Sequence, residues 1–109
     1  MKSFIWLSFD LGLNGDYEGM YSWLDAHNAK ECGDALACFS YTYNRDLLSE
    51  LLDDLRSSVE ISKKMRVYVI WLEKGKMKGR FIIGKRKTPP WTGFSGKEGD
   101  EEDYGDDNS

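Results

Sequence analysis

The chain is poor in the residues that build metal clusters and disulfide frameworks, and it has no long hydrophobic run. It contains two cysteines, Cys32 and Cys38, and a single histidine, His27. No further cysteine or histidine accompanies the two thiols at metal-site spacing, so we expect free, buried thiols. No apolar run approaches the roughly 18 residues that span a bilayer, and the first residues turn acidic too early for a signal peptide. We therefore expect a cytoplasmic protein that does not cross a membrane.

Charge is distributed unevenly along the 109 residues. Residues 98–109 carry seven acids and no base, which leaves residues 1–97 with 15 bases against 12 acids. The main body is therefore positive, although the whole chain has a net charge of −4. A chain of this length has room for one domain. We expect a single domain over residues 1–94 and a disordered acidic tail over residues 95–109, which has too few apolar residues to fold.

Five segments have the composition of β-strands. Residues 4–9 and 66–72 are apolar at successive positions, as is typical of strands that lie in the middle of a sheet. Turns that contain glycine, at Gly33-Asp34 and at 74–76, predict two hairpins. The predicted strands cover residues 4–9, 30–32, 35–43, 66–72 and 77–83.

Two helices are predicted between these strands. Asp16 is a suitable N-cap for a helix over about residues 16–28, and Asn44 for a second helix whose leucines recur at helical spacing. Helices placed in this order pack on one face of a sheet. The sequence therefore predicts an α+β fold of the ferredoxin-like kind, β-α-β-β-α-β with an extra C-terminal hairpin strand. Its antiparallel sheet is backed by two helices on one face.

This arrangement leaves the other face of the sheet without a helical cover. Phe4, Trp6 and alternate residues of 66–72 would then form an apolar patch larger than monomers usually expose. A homodimer that stacks its sheets, or that pairs strands through its termini, is the simplest way to cover the patch. A subunit that binds an unidentified protein partner through this aromatic face is an alternative.

A family resemblance rests mainly on residues 8–39. This segment combines a strand that ends in Asp10, a loop, the pair Asp16-Tyr17 that opens a helix, and a short hairpin. Together with the leucine-rich helix and the strand at 66–72, it resembles the small CRISPR-associated protein of the spacer-acquisition complex and its VapD and SinR relatives. The resemblance covers about residues 3–73. It implies a homodimer of ferredoxin-like subunits that acts on or around nucleic acid, in some members as a metal-dependent nuclease.

Asp10 matches the strand-end aspartate that the resemblance places beside its copy in a second subunit. Two such carboxylates could hold Mg²⁺ or Mn²⁺, and the cation could activate water for attack on a phosphodiester. The sequence offers no evident second carboxylate or general base near Asp10, and a polar residue that closes the strand and caps the following turn is the alternative role. His27 is expected near the end of the first helix, where a donor suits the free carbonyl groups.

Seven cations fall within residues 74–87 without an acid among them. Such a basic strip is attracted to phosphate backbones. The nearby aromatic residues Phe81, Trp91 and Phe94 could stack on unpaired bases. Lysine also protects sheet edges from unwanted pairing, so edge protection is the alternative. The candidate nucleic-acid-binding residues are Lys74, Lys76, Lys78, Arg80, Lys85, Arg86, Lys87 and Trp91.

The leading hypothesis is a small homodimeric module that contacts RNA or DNA and has little or no catalytic activity. The alternatives are a metal-dependent endonuclease that uses Asp10 and a protein-interaction subunit. The acidic tail is expected either to solubilise the chain or to compete with phosphate for the basic strip, an attraction that salt would weaken.

Overall fold

A computed structural model of the protein describes residues 1–97. Within these residues, one sheet of five antiparallel strands is combined with two helices, which confirms the predicted α+β class. The predicted acidic tail lies outside the described residues from position 98 onward. None of the described helices has the length and apolarity needed to cross a membrane. The elements are β1 (Lys2–Asp10), α1 (Tyr17–Ala26), β2 (Lys30–Gly33), β3 (Leu36–Thr42), α2 (Leu47–Ser58), β4 (Arg66–Glu73) and β5 (Lys76–Ile83).

Strand β1 lies at the centre of the sheet, whose strand order is β2-β3-β1-β4-β5. It pairs with β3 on one side, where Ile5 is opposite Phe39. On the other side it pairs with β4, where Leu7 is opposite Val69. Its core-side residues Ile5, Leu7 and Phe9 are buried, and Phe4 and Trp6 lie on the opposite face, so apolar residues occur at successive positions.

One hydrophobic core joins the sheet and the two helices. Alternate residues of β1, β3 and β4 contribute to it, and so do the apolar stripes of α1 and α2. Burial of each large apolar side chain favours folding by about 1.5–3 kcal/mol, so this shared core accounts for much of the stability. Its largest fully buried side chains are Ile5, Leu7, Met20, Leu51, Leu55, Val67 and Val69.

Helix α1 begins as predicted, with Asp16 as its N-cap. One oxygen of this carboxylate accepts a hydrogen bond from the Gly19 backbone N–H at 2.9 Å, and the other accepts from the Glu60 N–H at 3.0 Å. Asp16 thus ties the start of α1 to the chain that leaves α2. Gly19 allows this approach, because a Cβ at that position would lie 2.7 Å from the carbonyl oxygen of Ser58.

The start of α2 corrects the prediction, because the N-cap is Asp46 and not Asn44. The Asp46 carboxylate accepts a hydrogen bond from the Ser49 N–H at 2.9 Å. The Glu50 carboxylate reaches back and accepts from the N–H groups of Asn44, Arg45 and Asp46, each at 2.8 Å. Asparagine and aspartate are equally good N-caps, so composition alone did not separate the two positions.

The two predicted hairpins are present, with one shifted turn. In the β2–β3 hairpin the turn residues are Asp34 and Ala35, one position later than predicted, because Gly33 belongs to a bulge in β2. In the β4–β5 hairpin, Lys74 and Gly75 both have positive φ, 52° and 79°, as the favoured two-residue hairpin turn requires.

Candidate nucleic-acid interface

The face of the sheet opposite the core carries aromatic and basic side chains. Directly opposite residues of antiparallel strands point to the same face. Trp6 is opposite Ile70, Ser8 is opposite Tyr68, and Tyr68 is in turn opposite Phe81. All of these alternate with core residues, so they share the other side of the sheet. We call this side the open face; its central residues are Phe4, Trp6, Ser8, Asp10, Arg66, Tyr68, Ile70 and Phe81.

Two guanidinium groups lie over one aromatic pair at an end of the open face. The rings of Tyr68 and Phe81 meet edge to face with centroids 4.8 Å apart. The Arg66 guanidinium lies 5.9 Å from the Phe81 centroid, and that of Arg86 lies 5.4 Å from Phe81 and 5.7 Å from Tyr68. A pocket of about 310 Å³, also lined by Asp10, opens beside them. Two cations that share one ring form a site suited to an anion.

Asp10 is engaged by groups of its own chain. Its Oδ2 lies 3.2 Å from Arg66 Nη2, and its Oδ1 accepts a hydrogen bond from the Gly12 N–H at 3.3 Å. The Nε–H of Arg66 is buried and has no acceptor among the described residues. A buried donor without a partner is uncommon in native structures. The Arg66 Nε–H is therefore a donor beside the pocket that a ligand could use.

Asp10 is the one carboxylate among the described residues that line this pocket, and its Oδ2 lies 3.2 Å from Arg66 Nη2. Mg²⁺ takes six oxygen ligands in octahedral geometry and is usually held by one or two carboxylates, with waters among its other ligands. Within residues 1–97, no cluster of three or more histidine, cysteine, aspartate or glutamate side chains is placed to hold a metal. The Mg²⁺ or Mn²⁺ site formed by two copies of Asp10 stays a prediction.

A second basic group adjoins this site, where β4 begins and β5 ends. The chain turns at Gly84, whose φ is +75° and where a Cβ would lie 2.8 Å from the carbonyl oxygen of Met65. This close approach sets the residues that follow β5 beside the residues that precede β4. Together they line a groove of about 750 Å³. We call it the basic groove; its cations are Lys63, Lys64, Arg66, Lys85, Arg86 and Lys87.

Sequence reasoning missed half of the basic groove, namely Lys63, Lys64 and Arg66. A signal was present in the predicted hairpin. A strand pair that turns at residues 74 and 75 sets the residues before β4 beside those after β5, so the two lysines fall next to residues 84–87.

The structure does not bring the seven cations of residues 74–87 together. Lys74 lies in the hairpin turn. Lys78 is opposite the buried Trp71, so it points to the helix side, where its Nζ lies 3.7 Å from a carboxylate oxygen of Glu73. Lys76 and Arg80 alternate with open-face residues and so share the side of Lys78. Only Lys85, Arg86 and Lys87 belong to the basic groove.

The aromatic residues after β5 are exposed. Trp91 is 72% exposed and lines a pocket of about 410 Å³ next to Phe81 and Arg86. Phe94 is 87% exposed. The chain from Pro89 to Gly96 forms successive turns, in which the N–H of Thr92 donates to the Pro89 carbonyl. Trp91 thus borders the candidate site.

His27 belongs to a polar cluster on the helix side of the sheet. Its Nδ1 lies 2.8 Å from the Trp23 carbonyl oxygen and its Nε2 lies 3.3 Å from Asp54 Oδ2. The Tyr41 hydroxyl donates to the same Asp54 oxygen at 2.9 Å. Burial, and then this carboxylate, raise the pKa of Tyr41 far above its usual value. The cluster links α1, α2 and β3, so its evident role is structural.

The two cysteines are free, as expected, but they differ in exposure. Cys38 is buried, whereas Cys32 is exposed, which corrects the prediction that both are buried. The reason is that β2 is the edge strand of the sheet. The two sulfur atoms lie 3.1 Å apart, and Cys38 is opposite Trp6, at the margin of the open face. The Cys32 thiol donates a hydrogen bond to Cys38 Sγ, and this bond is the main cause that raises the pKa of Cys32.

The chain matches no protein-family model, no curated protein and no solved structure. The resemblance to the CRISPR-associated family therefore stays a prediction. The fold and the site define a small α+β protein with a basic groove at one end of an aromatic sheet face.

Proposed function

We propose that this protein binds nucleic acid through the basic groove and acts as a small binding module with little or no catalytic activity. The observation that carries the proposal is the convergence of six cations from separate segments on one groove. Asp10 is the one carboxylate that adjoins them among the described residues that line these pockets. Phosphate backbones bind where lysine and arginine side chains cluster without compensating acids.

The negative charge of the helices also favours the groove as the binding site. The segments 16–28 and 46–60, which contain both helices, carry eight acids and a single base, Arg56. A polyanion is repelled by such a surface and attracted to the groove at the end of the sheet, where β4 begins and β5 ends. We therefore expect nucleic acid at the groove and not on the two helices.

The experiment compares two triple variants that remove the same charge. The groove variant replaces Lys63, Lys85 and Lys87 by alanine. The hairpin variant replaces the three hairpin lysines, Lys74, Lys76 and Lys78, by alanine. Affinity for fluorescein-labelled oligonucleotides is measured over a range of salt concentrations. Each phosphate contact contributes a slope of about 0.9 on duplex DNA and about 0.7 on single strands in a plot of log affinity against log salt.

We expect the groove variant to flatten this slope by the amount that corresponds to about two to three phosphate contacts. The hairpin variant should change it by less than the amount for one contact. Equal effects of the two variants would mean that only overall charge matters, which contradicts the groove. Absence of binding by the unmodified protein at low salt would contradict nucleic-acid binding altogether and leave the lysines as edge protection.

A second candidate is the expected homodimer, or docking of another protein, through the open face. The observation that favours it is the exposure of Phe4, Leu72 and Met77, which are 46%, 55% and 69% exposed. Sedimentation at micromolar concentration tests it, with Leu72→Ser and Met77→Ser as variants. A dimer that dissociates in these variants supports the second candidate, and a monomer in the unmodified protein contradicts the homodimer.

The finer fold description is part of the proposal. The order of elements from β1 to β4 and the strand neighbours β2-β3-β1-β4 support a ferredoxin-like arrangement, to which β5 adds a strand beside β4. A cytoplasmic location is proposed with it, since RNA and DNA are accessible there.

A further inference from the structure

Aromatic side chains on the open face come from three adjacent strands, β1, β4 and β5. Phe4 and Trp6 meet edge to face with ring centroids 5.0 Å apart, and Tyr68 and Phe81 form a similar pair. An antiparallel sheet that faces water usually carries polar residues on that side. This face instead offers aromatic rings to whatever covers it.

The Tyr68 ring packs closely on the sheet because β5 has a glycine near its middle. Gly79 is opposite Ile70, and a Cβ at position 79 would collide with the Tyr68 hydroxyl. The Tyr68 ring thus lies over the backbone of β5, where another residue type would hold it off. Trp6 is half-buried and Phe4 is 46% exposed, so both rings remain partly accessible.

We infer that the open face takes single-stranded nucleic acid, with unpaired bases stacked on these rings and the backbone directed into the basic groove. The inference rests on the proposed function and specifies its substrate class. Bases inside a duplex are stacked on one another and cannot reach a sheet surface, whereas unpaired bases stack readily on aromatic side chains. The aromatic rings and the groove cations meet at Phe81, over which Arg66 and Arg86 both lie.

Charge argues for this occupant over a second copy of the chain. In a two-fold symmetric dimer the same patch meets itself. A dimer stacked through this face would bring Arg66 and Arg86 of both copies into one interface, and an excess of positive charge in an interface is costly. A phosphate backbone supplies the opposite charge at that end of the face.

The test uses the full chain and fluorescein-labelled oligouridylate, oligothymidylate and the oligothymidylate annealed to its complement. We expect both single strands to bind at least tenfold more tightly than the duplex at low salt. Trp6→Ala and Phe4→Ala should each weaken single-strand binding by roughly tenfold, because each removes one ring on which a base stacks. Trp6→Phe should retain most of the affinity, because it keeps an aromatic ring at this position. Circular dichroism checks that each variant is folded.

Tyr21→Ala is the matched control, since Tyr21 is an exposed aromatic residue on α1, 53% exposed. It should leave single-strand affinity unchanged. If the duplex binds as tightly as the single strands, or if Trp6→Ala and Phe4→Ala behave like Tyr21→Ala, the inference is overturned while the proposed function stands. If Trp6→Ala instead dissociates a dimer, a second copy covers the face and the inference is also overturned. If no oligonucleotide binds, the proposed function fails as well.

Discussion

Replacement of Gly19 by alanine separates local helix propensity from tertiary packing. Gly19 lies inside α1, where alanine is normally favoured over glycine by about 1 kcal/mol. Here the added Cβ would lie 2.7 Å from the carbonyl oxygen of Ser58 and would collide with the Asp16 carboxylate. The carboxylate can rotate, but the Ser58 oxygen belongs to the backbone. Relief therefore requires α1 to move away from the end of α2.

The magnitude follows from the two opposing terms. Overpacking of a tight contact costs about 1–3 kcal/mol, and a contact with backbone belongs in the upper part of that range. After the propensity gain is subtracted, we expect Gly19→Ala to lower the free energy of unfolding by about 1–2 kcal/mol. In a domain of this size, each 1 kcal/mol lowers the melting temperature by roughly 4–8 °C.

The assay is urea unfolding followed by tryptophan fluorescence, since Trp23 on the same helix is buried. Ser22→Ala, at an exposed position of α1, is the control and should stabilise the protein by a few tenths of a kcal/mol. If Gly19→Ala stabilises the protein as Ser22→Ala does, helix propensity dominates and the close approach of α1 to the end of α2 is refuted.

Two further predictions concern charge. Three backbone N–H donors lower the pKa of Glu50 below its ordinary value of 4.5, so its ionised form favours the folded state above that value, and this contribution is lost as the pH falls through the lowered pKa. Glu50→Gln should therefore shrink the difference in unfolding free energy between about pH 7 and about pH 3, and an unchanged difference would count against the Glu50 hydrogen bonds. Deletion of residues 98–109 changes the net charge from −4 to +3 and should raise oligonucleotide affinity at low salt, a gain that added salt removes. Equal affinities of the full and shortened chains in a fluorescence titration would exclude competition by the tail.

Local features of this fold could be predicted because they depend on neighbouring residues. Apolar residues at successive positions in 4–9 and 66–72 indicated central strands, and the turn predicted at 74–76 indicated a hairpin. The cap at Asp16 followed from its position before an apolar helical pattern. Each of these patterns is complete within about ten residues, so no tertiary information was needed.

The candidate site depended on contacts between distant residues. Asp10 was expected to close a strand or to hold a metal, and its pairing with Arg66 arises because β1 and β4 are neighbours in the sheet. Lys63 and Lys64 join Lys85 and Lys87 because β4 and β5 form a hairpin whose open ends meet. Strand pairing creates these contacts, and composition alone does not reveal them.

The register between β4 and β5 decides on which side of the sheet the basic and aromatic residues of β5 lie. In β5, Phe81 and Ile83 have the same parity, yet Phe81 lies on the open face and Ile83 lies in the core opposite Val67. The bulge at Ile82 produces this change, because one extra residue in a strand reverses the side to which every later residue points. The sequence by itself determined the strands, the helices and the excess of positive charge. Only the tertiary structure decided which cations meet and which rings stay exposed, because both depend on how the strands pair and in which register.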